Sequence, residues 1–167
     1  EGASYVVIDG FKLRQQTTFE VPTTCQHIRI SRNDIQLGDI EGSHWVVVRA
    51  DTTVVERNHF HGKSKLSVFL GVEGPGSDGM ARGVQIVRNY FSDHTYAGDN
   101  GGEPIRLGLS GRSLSDAGAF VEENLFERCN GDPEAISVKS TGNTIRHNTI
   151  RDSLGGIVLR HGNRSRV

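Results

Sequence analysis

Several residue types are nearly missing from this chain, and each shortage removes a class of structure. Proline occurs four times in 167 residues, cysteine twice, and methionine and tryptophan once each. Two cysteines, Cys25 and Cys129, do not amount to a disulfide framework. In a strand-rich chain each reads as a small buried apolar group and fixes no redox compartment. No apolar run reaches the roughly 18 residues that a membrane-crossing helix needs, and apolar residues at 3.6-residue spacing are missing throughout, which argues against helical folds. A formal net charge of −1 argues against general affinity for nucleic acid or acidic membranes, so any polyanion has to be met by a local basic patch. The chain is read as beginning without a signal peptide, and its first residue is Glu1 rather than an initiator methionine. The chain enters at once on the strand-like Ser4 to Ile8 and stops at Arg166 and Val167. Residues 1–167 read as a single domain or the core part of one, cut from something longer and without end caps.

What is present is glycine, 21 residues of it, and a recurring pattern of Asn or Asp, one residue, then Phe or Ile. It occurs at Asp9-Gly10-Phe11, Asn33-Asp34-Ile35, Asn58-His59-Phe60, Asn89-Tyr90-Phe91, Asn124-Leu125-Phe126 and Asn148-Thr149-Ile150. A repeat of this size marks a solenoid, in which each unit buries its apolar face only by stacking on its neighbours. Alternating runs before and after each Asn make every unit β, with turns whose Asn would adopt the left-handed region. The expectation is all-β, a single-stranded parallel β-helix of about six coils. Two longer steps locate insertions at 72–83 and 109–118, both read as projecting loops.

The later strand of each unit is aligned as Trp45 to Arg49, Leu66 to Leu70, Pro104 to Gly108, Ala135 to Ser140 and Gly156 to His161. Period-two alternation sends Ile105, Leu107, Ile136, Val138, Ile157 and Leu159 inward. Outward positions collect Arg49, Arg106, Lys139 and Arg160. One such residue is an ordinary solvated cation, but four on one face make a strip for an anionic polymer. Superposing the last two runs puts Lys139 beside Arg160. The same alignment gathers Asn100, Glu103, Asp132 and Glu134 at one corner, a set of hard oxygen donors suited to Ca²⁺ rather than Zn²⁺ or Cu²⁺, or else an ordinary acidic turn. His59, His61, Lys63 and His94, on earlier coils, read as surface or turn residues.

The segments Asn100 to Gly108, Glu134 to Ser140 and Leu159-Arg160-His161-Gly162, in that order, resemble the signature of polysaccharide lyase family 6. That family contains alginate lyases and the dermatan-cleaving chondroitinase B. The resemblance runs from about Asn33 to the end of the chain. It implies a right-handed parallel β-helix, a periplasmic or extracellular location, and calcium held by Asn100, Asp132 and Glu134. The position of Asp132 can be Glu in relatives, and the shorter side chain bears on metal affinity. Lys139 is implied as the base and Arg160 as its partner cation, with Arg106 and His161 in sugar binding and positioning.

The chemistry suits those residues. Eliminating the 4-linked sugar from a uronate requires removal of the C5 proton, which is hardly acidic while the adjacent carboxylate is charged. A cation at that carboxylate stabilises the enolate-like intermediate, and a neutral lysine removes the proton, its charged form disfavoured by Arg160 and Ca²⁺. The expected partner is an anionic polysaccharide, alginate before dermatan or chondroitin, with no nucleic acid and no membrane. A non-catalytic carbohydrate-binding or structural β-solenoid and a uronate C5-epimerase are the alternative readings.

Overall fold

The chain's short alternating runs, none longer than five residues, are too brief to stand alone and gain stability by stacking. In the computed structural model, which describes residues 2–14 and 17–167, eighteen strands form three parallel six-stranded sheets. The first sheet contains Val7–Asp9, Arg29–Ser31, Val54–Glu56, Gln85–Val87, Phe120–Glu122 and Thr144–Arg146. The second contains Lys12–Leu13, Asp34–Ile35, His59–Lys63, Tyr90–His94, Leu125–Cys129 and Thr149–Arg151. The third contains Phe19–Val21, Val46–Val48, Leu70–Val72, Ile105–Leu107, Glu134–Val138 and Gly156–Leu159. Successive strands visit the three sheets in turn. The result is a right-handed parallel β-helix of six coils, with one turn of 3₁₀-helix, Ser110–Arg112, in the second insertion.

The repeating Asn is the device that holds one coil on the next. Asn58 accepts from the backbone N–H and the side-chain amide of Asn33, both at 2.9 Å. Asn89 does the same for Asn58, Asn124 for Asn89, and Asn148 for Asn124, all within 2.9–3.0 Å. Each amide also donates to a carbonyl of the previous coil, such as Asn89 to Val55. These bonds satisfy backbone groups at a sharp corner where no sheet ladder reaches them. The left-handed residue is not the Asn but the one before it: Arg32, Arg57, Arg88, Glu123 and His147 have φ between 53° and 56°. The Asn amide has to point along the stack, so the corner's reversed bend falls on its exposed neighbour.

Two residues after each Asn, the side chain turns inward. Phe60, Phe91 and Phe126 stack face to face with centroids 4.8 and 5.0 Å apart. The first repeat is displaced from its expected place. Phe11 donates its N–H to Asn33 and so occupies the Asn column, while Leu13 pairs with Ile35.

In the third sheet the core ladder is Val46, Leu70, Ile105, Ile136 and Ile157, beside Val48, Val72, Leu107, Val138 and Leu159. Two corrections follow. The strand of the third coil is Leu70–Val72 rather than 66–70, because Leu70 pairs with Ile105. Leu159 keeps its column but is exposed, since its strand is the outer edge of the sheet and no described strand covers it.

Lys63 and His94, expected at the surface, are fully buried. They point inward from the second sheet in register with Cys129. Lys63 survives there by donating to the Ser43 carbonyl and lying 5.2 Å from the Trp45 ring centroid, a desolvated cation over an aromatic face. His94 bonds the Ser67 carbonyl at 2.8 Å, and burial pushes its pKa down to about 4. Cys25 and Cys129 are free thiols.

Candidate active-site groove

Because the three central residues of each third-sheet strand pair in strict register, the residue after each strand falls in a single outward column. Arg49 N–H donates to the Val21 carbonyl, Glu73 N–H to Val48, Gly108 N–H to Val72, Lys139 N–H to Leu107 and Arg160 N–H to Val138. Read along the helix the column is Arg49, Glu73, Gly108, Lys139 and Arg160. Arg106 belongs to the parallel column two residues earlier, with Gly71 and Ser137. Lys139 and Arg160 are therefore neighbours on adjacent strands, about 4.8 Å apart at the backbone, as expected. Gly108 precedes Lys139 in the column with φ of 87°, and a Cβ there would meet Met80 Sδ at 3.1 Å and Ser140 Cβ at 3.3 Å. A side chain at that slot would crowd the floor beside Lys139.

The acid corner divides its labour. Asp132 is buried and spends its carboxylate on the backbone: Oδ2 accepts from Gly101 N–H at 2.6 Å and Gly102 N–H at 3.2 Å, and Oδ1 from Glu134 N–H at 2.9 Å. Burial pushes its pKa up, with the Glu103 carboxylate adding to the shift and the three N–H groups opposing it. Gly102 makes this corner possible, since a Cβ there would lie 2.3 Å from the Gly131 carbonyl oxygen.

Glu134 instead faces the groove, where Oε1 accepts from Arg160 Nη1 at 2.7 Å. The same nitrogen reaches Asn100 Oδ1 at 3.2 Å. Glu103, placed at the corner by sequence, turns along the floor and accepts from Lys139 Nζ at 3.0 Å. Lys139 is thus paired with a carboxylate that is itself buried, and Glu103 Oε2 has no partner.

Of the three expected calcium ligands, two also meet Arg160. Asn100 Oδ1 and Glu134 face the same side, and Glu134 Oε2 is buried without a hydrogen-bond partner. Asp132 is buried and partly committed to the turn, with Oδ2 accepting two backbone N–H groups and Oδ1 one, which leaves Oδ1 a further acceptor position. The Arg160 guanidinium already supplies positive charge between Asn100 and Glu134.

The remaining cations are committed unequally. Arg49 lies 2.8 Å from Glu20 and 2.6 Å from Glu73, which neutralises it at the far end of the groove. Arg106 donates from Nη2 to His44 Nε2 at 2.5 Å and lies 3.9 Å from Glu73. His44 is neutral under that load, since burial and then Arg106 lower its pKa to about 4. Its other ring nitrogen bonds Ser67 Oγ.

His161 Nε2 meets Ser110 Oγ at 3.2 Å, so the second insertion borders the end of the column. Arg112, buried in that insertion, donates to the carbonyls of Gly76 (2.9 Å) and Gly79 in the first. The two insertions are thus tied to each other beyond one end of the third-sheet strands, and the Asn100 corner precedes the other. Sequence reading missed His44, Glu73 and Ser110, for none of them repeats or sits in a recognisable motif.

Comparison with known proteins identifies the family and the fold. The chondroitinase B family model matches residues 12–167. A mannuronic acid specific polysaccharide family 6 lyase from human gut microbiota superposes with a TM-score of 0.85 at 27% identity, over 98% of this chain and 41% of that one. AlyGC, a family 6 alginate lyase, superposes with a TM-score of 0.68 at 25% identity, over 98% of this chain and 30% of its own. A family 6 alginate lyase solved with a trisaccharide shares the fold at a TM-score of 0.77 and 24% identity, over 96% of this chain and 43% of that one. The chain therefore spans less than half the length of these structures. No curated protein matches it.

Proposed function

The chain belongs to the chondroitinase B family, whose solved relatives here are family 6 polysaccharide lyases, and from that membership we propose that it forms the catalytic β-helical unit of a lyase acting on a uronate-containing polysaccharide. The observation that carries this reading is the pairing, on one floor, of Lys139 with a buried carboxylate and of its neighbour Arg160 with Glu134 and Asn100. A binding or structural solenoid has no use for a lysine held over a buried acid whose second oxygen is unpartnered.

In the proposed reaction the uronate carboxylate is met by Arg160, whose side chain is 41% exposed and can turn towards it. Lys139, in its neutral form, takes the C5 proton of the substrate, and the ammonium so formed is held 3.0 Å from Glu103. The C5–H electrons form the C4=C5 double bond as the C4–O4 bond breaks, and the departing oxygen takes a proton from water or from the returning Lys139. Arg160 remains protonated throughout and acts by charge, preorganised by Glu134. Calcium held at Asn100 and Glu134 would add further charge at the substrate carboxylate. Arg106 and His161 position neighbouring sugars, and Arg49, locked between two acids, contributes least.

Alginate is the first substrate, since the 27% identical relative is described as mannuronic acid specific. Dermatan is second, on the strength of the family model. A polysaccharide substrate supports a location outside the cytoplasm, in the periplasm or beyond the cell.

The test is ultraviolet absorbance of unsaturated ends during incubation with polymannuronate, polyguluronate and dermatan sulphate, with the full-length parent assayed beside the 167-residue chain. Absorbance that rises with wild type and vanishes in Lys139→Ala is expected. Altered uronate composition without unsaturated ends would instead identify an epimerase, and binding without either change a non-catalytic module.

A further inference from the structure

Away from the groove, the outer face of the second sheet carries a cluster that the lyase reading does not use. His59 and His61 are two residues apart on one strand, so period-two alternation projects both rings to the same side. Asp34 on the adjacent strand pairs directly with His59. One ligand atom from each of the three lies within 4.8 Å of the others, and Asp34 Oδ1 and His61 Nε2 are 2.6 Å apart. We propose that Asp34, His59 and His61 form a binding site for a divalent cation of the zinc class, joining the second and third coils.

The chemistry of the donors selects that class. Two imidazoles and one carboxylate suit Zn²⁺, Co²⁺ or Ni²⁺, whereas Ca²⁺ and Mg²⁺ prefer all-oxygen sites. Three protein ligands leave a fourth tetrahedral position for water.

The ligands are also supported from behind, as metal ligands are. Arg14 Nη2 donates to Asp34 Oδ2 at 2.7 Å, which leaves Oδ1 turned to His61. His59 is stacked between His61 and Tyr90, with centroids 4.3 and 4.4 Å away, and one of its nitrogens meets Ser92 Oγ at 2.9 Å. Arg14 also holds the Asp34 pKa down to about 2, so the carboxylate is ionised at neutral pH. Ligand atoms bound at about 2.0–2.2 Å to one tetrahedral ion stand roughly 3.3 Å apart, so Asp34 and His61 separate by a fraction of an ångström, the proton between them leaves, and His59 turns in from within 4.8 Å.

The experiment is calorimetric titration of Zn²⁺ into the 167-residue chain, with thermal unfolding followed by circular dichroism. One saturable equivalent is expected, unaffected by excess Ca²⁺ or Mg²⁺. Zn²⁺ at about a hundredfold over Kd should raise Tm by roughly 5–10 °C. His61→Ala and His59→Ala should each weaken binding by more than the roughly 10–100-fold that an outer-shell change costs, while His147→Ala, outside the cluster, should bind as wild type does. Absence of a saturable equivalent, or Zn²⁺ binding that survives the His59→Ala/His61→Ala double variant, overturns the proposal. Should a variant fail to fold, the visible spectrum of Co²⁺ bound to wild type decides. An intense tetrahedral band supports the site, and a weak octahedral spectrum or none refutes it.

Discussion

The Asn corner and the groove floor belong to the same coils, yet they follow opposite rules. At the corner the second to sixth coils repeat the same solution: stacked Asn amides bond one another, and a Phe or Ile two residues on turns to the interior. On the floor no two adjacent coils are alike, and the column runs Arg49, Glu73, Gly108, Lys139, Arg160. A translationally repeated structure needs identical contacts where its coils bond one another. Chemistry needs different groups held a strand spacing apart. The backbone ladder provides the spacing, and the side chains are free to differ because the ladder does not depend on them.

The largest test of that division is Lys139→Ala. Loss of a positioned base should lower turnover by about 10²–10⁴-fold, with polymer retention on an affinity column little changed. The same change strands buried Glu103 without its cation, so it should also destabilise the fold. Adding Glu103→Gln should restore the urea midpoint and leave turnover lost. If the double variant recovers activity, Lys139 is not the base.

At the corner the effect should fall on stability instead. Phe91→Ala removes the middle of the aromatic stack and should cost about 3–5 kcal/mol in denaturant unfolding. Asn89→Ala leaves the buried Asn58 N–H without its acceptor and should cost roughly 2–4 kcal/mol.

Acid should act next in size. Burial lowers the pKa of His94 to about 4 in the folded chain, against an ordinary value near 6.5. The unfolded state therefore binds the proton first, and stability that is complete above about pH 6.5 is lost as pH falls towards 4, by up to roughly 3 kcal/mol. His94→Gln should flatten the pH dependence of Tm in that window, and an unchanged slope would remove His94 as its source.

The smallest effect should come from Asn148→Ala at about 1 kcal/mol, because Asn148 is half-buried and water can replace it at the corner. A cost equal to that of Asn89→Ala would mean that the ladder's strength does not depend on burial.

The repeat, the parallel β-helix of about six coils and the adjacency of Lys139 and Arg160 were all legible in the sequence, since period-two alternation and a recurring Asn are local signals that stacking merely copies upward. Local pattern failed where the register was set by something distant. Asp9-Gly10-Phe11 matches the repeat in composition, but Phe11 falls in the Asn column because the strand pairing of Leu13 with Ile35 fixes the phase. The four acidic or amide groups counted to one corner by spacing separate into three roles, because Asp132 meets three backbone N–H groups, Glu103 meets Lys139, and Asn100 and Glu134 meet Arg160. What the chain order decided was which residues share a column. Which of them face each other, which are drained of charge by a neighbour, and which buried acid stands beside the lysine were decided only by tertiary structure, because side-chain partners 20–60 residues apart leave no mark on local sequence.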